Sequence, residues 1–122
     1  MARIVGDKKA HIQRLVSLKS RIGKLISYFD KLLGGFANIK ANELKDAAHS
    51  YVRILTKLYI NFDIDDKVES ELHKDLYALL FSASSNTDYK HVVDSCNEFT
   101  KRGIASLKSK AEAVSVEIEN AE

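Results

Sequence analysis

At 122 residues the chain fits one domain spanning 1–122, large enough to bury roughly two-thirds of the surface its unfolded form would expose, so its core needs no disulfide or metal support. Its single cysteine excludes an internal disulfide, and its longest apolar run, Leu76 to Phe81, excludes a membrane-spanning helix, which needs roughly 20 apolar residues. The net charge of +2 is unevenly spread, with +6 on residues 1–35 and −4 on residues 36–122.

The absence of proline, where average usage of about 5% would give roughly six, argues for an all-α fold with short polar connections. The first helix is expected over 7–33, with Asp7 as its N-cap and a left-handed glycine of Gly34-Gly35 closing it. Ile12, Leu15, Leu18, Ile22, Leu25, Ile26, Phe29, Leu32 and Leu33 recur every three or four residues and form its buried stripe. Phe36 follows and is expected to pack back on the last turn. Arg14, Arg21, Lys24 and Lys31, stepping by seven, three and seven with Tyr28 among them, make a second, cationic row about a third of a turn away.

The second helix is expected over 40–62, capped by Asn38 or Asn42. Leu44, Ala48, Tyr51, Leu55, Leu58 and Phe62 repeat as a heptad, while Lys45, His49, Arg53 and Lys57 form an i, i+4 basic row outside it. The segment Asn61 to Asp66 stops this helix, because Asn and Asp favour turns and caps. The third helix, over 66–84, opens on Asp66 and Glu69 in capping-box spacing and buries Val68, Leu72, Leu76, Leu79, Leu80 and Ala83. The fourth, over 87–119, is expected to start with a box from Ser85 to Asp88, to bend at Gly103, and to bury Val92, Cys96, Phe99, Leu107, Val114 and Ile118.

Four helices with short connections favour a four-helix bundle of up-down-up-down order, with long first and last helices and both termini at one end. The basic start of the first helix (Lys8, Lys9, Arg14) then lies beside the acidic end of the fourth (Glu112, Glu117, Glu119, Glu122). If the fourth helix outruns the third, Val114, Val116 and Ile118 lack cover within the chain, and a homodimer through the end of that helix, or another protein, would supply it.

No catalytic or metal motif is complete. Counted from Asn61, a calcium loop would need glycine at Asp66 and glutamate at Leu72. The Glu-x-x-His pairs of a di-metal bundle are absent, and His11, His49, His73 and His91 contain no i, i+4 pair for zinc. Cys96 lies on an apolar stripe, as an unreactive core thiol does. The chain is therefore expected to be a cytoplasmic, non-enzymatic interaction protein without cofactor or metal. Its candidate binding residues are Arg14, Arg21, Lys24, Tyr28, Lys31, Lys45, Arg53 and Lys57, and its partner is a protein with an acidic surface or, alternatively, nucleic acid stacking on Tyr28. Replacing Arg14, Arg21, Lys24 and Lys31 together by alanine is expected to leave melting nearly unchanged.

Overall fold

A computed structural model describes residues 2–122, with side chains from residue 7 on; Met1 of the expected 1–122 domain lies outside the described residues. The protein is an all-α four-helix bundle of up-down-up-down order, built from α1 (Ala2–Gly35), α2 (Leu44–Ile60), α3 (Lys67–Ala83) and α4 (Tyr89–Ala121). The start of α1 runs beside the end of α4, where Lys8 Nζ donates to the Glu122 backbone oxygen at 3.5 Å. Helix α4 packs against all three others and most extensively along α1. Among the described residues no Cα of α1 comes within 8 Å of one in α2 or α3, so α1 reaches those helices through side chains alone.

The helix ends differ from the sequence expectation in four places. Helix α1 runs through Asp7, which is an interior residue and not a cap. It also includes Gly34 and Gly35; no glycine among the described residues has positive φ, so no left-handed residue closes it. Neither Asn38 nor Asn42 caps α2, which instead grows out of a 3-10 turn at Ala41–Glu43 with no side-chain cap. The cap of α4 is Asp88, whose Oδ1 accepts the His91 N–H at 3.2 Å, and the expected Ser85 box does not form. The cap of α3 is as expected: Asp66 Oδ1 accepts the Glu69 N–H at 2.8 Å.

The core follows the stripes read from the sequence. Leu15, Ile22, Phe29 and Leu32 of α1 meet Ala47, Ala48, Tyr51 and Leu55 of α2, Leu72 and Leu76 of α3, and a line from Val92 to Val114 of α4. Val114 is fully buried and Ile118 packs on the core, because α1 extends as far as α4 does and covers them. Those two residues therefore need no second copy to cover them, whereas Val116 stays open on that segment, 53% exposed. The Phe36 N–H donates back to the Leu33 carbonyl at 3.3 Å, and its ring stacks on Tyr51, centroids 4.2 Å apart. The buried Tyr51 hydroxyl donates to Asn97 Oδ1 at 3.0 Å and meets Thr100 Oγ1 at 2.7 Å, while Asn97 Nδ2 donates to the Phe36 carbonyl at 3.2 Å. One polar network thus joins the end of α1, α2 and α4 inside apolar surroundings, where unpaired groups would be costly.

Gly103 makes room for a ring of α1. Helix α4 is continuous through it, and a Cβ there would lie 2.6 Å from Phe29 Cε2. The missing side chain lets the buried Phe29 ring sit against α4, tilted on Phe99 with centroids 6.0 Å apart. Alanine at 103 would gain about 1 kcal/mol of helix propensity, but overpacking a core costs typically about 1–3 kcal/mol. Gly103→Ala is therefore expected to lower stability by about 1 kcal/mol in urea denaturation. Gly23→Ala, on the exposed side of α1 with nothing within 4 Å of the added Cβ, is expected to raise it by a similar amount.

Burial pushes the Tyr51 hydroxyl up to about 12, against a partly opposing hydrogen bond from Thr100, and burial pushes the Cys96 thiol up to about 12. Both groups hold their protons longer folded than unfolded, so their contribution is full below their ordinary values of 10.0 and 9.0 and is lost as pH rises towards 12. The urea midpoint should fall over this alkaline window. Tyr51→Phe with Cys96→Ala, though less stable at neutral pH, should show a flatter decline.

Candidate functional site

The most structured polar feature lies where α1 passes the α2–α3 turn. Arg21 Nε donates to Glu69 Oε2 at 2.9 Å and Nη2 to Oε1 at 2.7 Å, a two-pronged match of guanidinium to carboxylate. Glu69 is fully buried, whereas the Arg21 side chain is 27% exposed. The carboxylates of Asp63 and Asp65 lie 3.9 and 3.6 Å from the same guanidinium. The hydrogen bond to Glu69 raises the Arg21 pKa above its usual value, against burial, with smaller contributions from the charges of Glu69, Asp63 and Asp65.

Local sequence builds this arrangement. With Asp66 as N-cap, Glu69 stands three residues into α3, where a capping glutamate reaches back over the helix start. Here it reaches one residue further, and its Oε1 accepts the Asp65 N–H at 3.0 Å. The acidic turn also faces the positive end of the α3 dipole. Asp66 Oδ2, buried without a hydrogen bond, lies 4.0 Å from Lys110 Nζ of α4, so the same turn approaches a second helix through a cation.

Beside the pair, a cleft of about 300 Å³ opens between α1 and α2, floored by Leu25, Leu58 and Phe62 and rimmed by Lys24, Tyr28 and Asn61, with Arg21, Glu69 and Asp63 at its end. Tyr28 is 41% exposed, and Lys24, Tyr28 and Lys31 continue into a shallower groove with Ser20, Gly23 and Ser27.

The eight expected binding residues therefore divide. Arg21 is engaged inside the bundle by Glu69, while Lys24, Tyr28 and Lys31 remain together at the cleft and its extension. Arg14 is exposed nearer the start of α1, two turns before Arg21. On α2, each i, i+4 step overshoots a full turn by about 40°, so Lys45, Arg53 and Lys57 wind around the helix and do not share one face. Lys57 is exposed one turn before Asn61 of the α1 cleft, whereas Arg53 and His49 line a different cleft against Ala83 and Ser84 at the end of α3.

Glu69 carried a signal in the sequence: it stands in phase with Leu72 and Leu76, and a carboxylate on a core stripe requires a cationic partner. Breaking such a pair from one side leaves a buried charge, so Arg21→Met is expected to destabilise by about 3 kcal/mol, and Arg21→Met with Glu69→Leu to recover most of that loss. Replacing only Arg14, Lys24 and Lys31 by alanine should leave the urea midpoint nearly unchanged, in contrast to the set that includes Arg21. No protein-family model, curated protein or solved structure matches the chain.

Proposed function

We propose that the protein is a non-enzymatic interaction module, an adaptor, subunit or inhibitor, that docks on an acidic protein surface through the cleft between α1 and α2. The observation that carries this reading is an open apolar floor, Leu25, Leu58 and Phe62, with Lys24 at its rim and the exposed Lys31 and Lys57 beyond it, while Asp63 at the same cleft is held 3.9 Å from Arg21. The floor is of a size to receive one or two partner side chains, and surrounding cations steer an acidic surface onto it and fix its orientation. Arg21, which lines the same cleft, is held by Glu69 and supports the floor from within.

A second reading, binding of single-stranded nucleic acid, rests on Tyr28, whose partly exposed ring lies between two lysines on one helix face and so offers stacking beside phosphate contacts. The test compares wild-type protein with Lys24→Glu/Lys57→Glu as bait in native lysate at low salt, with and without nuclease. Loss of a nuclease-resistant protein partner by the variant, with helicity retained, is the expected result. Equal retention by both baits would overturn the cleft assignment, and retention of nucleic acid alone would favour the second reading.

A further inference from the structure

The flank of α2 turned towards α3 carries a different surface. Rings follow one another along the α2–α3 pair: Phe62 and His73 at 5.7 Å between centroids, His73 and Tyr59 at 4.1 Å with planes 5° apart, Tyr59 and Tyr77 at 5.9 Å, and Tyr77 and Phe81 at 6.4 Å. The outer end of this stripe is open to solvent. Phe81 is 74% exposed, Tyr77 56%, and Ile60 on the neighbouring turn of α2 72%. An exposed apolar surface rimmed by polar groups is characteristic of an interaction site.

The charges around it are sorted by helical phase. Arg53 and His49 line the continuation of the groove against Ala83 and Ser84. Lys74, exposed on α3, follows His73 and precedes Tyr77 on the outer side. Glu69 is buried against Arg21, and the exposed carboxylates of α3, Glu71 and Asp75, line clefts on its other flank against α4. Asp46, the only acid within α2, is two turns before Arg53. The stripe is therefore bordered by cations on both helices.

We propose that this stripe docks an acidic amphipathic helix of another protein, with apolar anchors on Tyr77, Phe81 and Ile60 and carboxylates on Arg53 and Lys74. Charge complementarity selects this occupant. A second copy of the chain, paired stripe to stripe, would bring like cations together. Nucleic acid would need a run of free ring faces, and Tyr59 and His73 already cover each other, which leaves only Tyr77 and Phe81 open. From His73 to Phe81 the stripe spans about 12 Å, which matches anchors spaced i, i+3 or i+4, and i+7 on a partner helix. The exposed part of the stripe, Tyr77 and Phe81, shares no residue with the α1 cleft, which meets the stripe only at Phe62, and the proposal stands independently of that reading.

The test uses fluorescein-labelled amphipathic helices of about five turns, with leucine anchors and either glutamate or lysine flanks, and a labelled single-stranded DNA, each titrated with the full chain by fluorescence anisotropy. The glutamate-flanked helix should bind, the lysine-flanked one should not, and affinity should fall about tenfold or more with Tyr77→Ser/Phe81→Ser. Arg53→Glu/Lys74→Glu, which leaves the aromatic rings in place, should weaken the same peptide, while Lys24→Glu should not. The proposal is overturned if the glutamate-flanked helix fails to bind, if either double variant binds it as well as wild type, or if the lysine-flanked helix or the DNA binds more tightly. Sedimentation velocity adds a further check: self-association of the wild type that Phe81→Ser abolishes would assign the stripe to a second copy and overturn it.

Discussion

The buried pair of Arg21 and Glu69 holds the bundle together where backbone packing does not. Helix α1 lies along α4, and its Cα atoms stay more than 8 Å from those of α2 and α3. A long side chain bridges that gap to a carboxylate that the start of α3 holds in place through the Asp65 N–H. Desolvating the two charges is costly, and hydrogen bonds on both carboxylate oxygens offset much of that cost. What the pair supplies is register: it fixes how far along α1 the α2–α3 turn sits. The same spacing leaves room for the cleft floored by Leu25, Leu58 and Phe62.

Helix α4 is the complementary element. Its buried line from Val92 to Val114 serves three neighbours, and the residues that make this possible are small or lightly polar: Gly103 admits Phe29, and Thr100 meets the Tyr51 hydroxyl. A helix with large residues at those positions could not approach two partners at the same level. Specificity in this core thus comes from shape and a few satisfied hydrogen bonds as well as from apolar area.

The four helices and their buried stripes were legible in the sequence because apolar spacing reports directly on burial, and the heptad of α2 is the clearest case. Helix ends were less legible. Asp7, Asn42 and Ser85 are all good capping residues, but a cap depends on where neighbouring helices let the chain turn, which composition does not encode. The cationic rows were legible as rows only. Whether a given cation faces solvent depends on tertiary neighbours, and Arg21 was absorbed by a glutamate 48 residues away. The exposed ends of Tyr77 and Phe81 were hidden for the reverse reason: they extend an apolar run, and only their helical phase turns them outwards.

The most extensive helix contact joins α1 to α4, the first and last elements in the chain. During synthesis α1, α2 and α3 therefore leave the ribosome before the helix that would bury their apolar stripes exists. Closing the α1–α4 contact carries the loop-closure entropy of the intervening chain, which grows slowly with loop length but must be met before any of that burial is realised. A nascent chain halted before Tyr89 would hold Ile22, Phe29 and Leu76 without the α4 side of the core that buries them. Such an intermediate is a natural client for a holding chaperone.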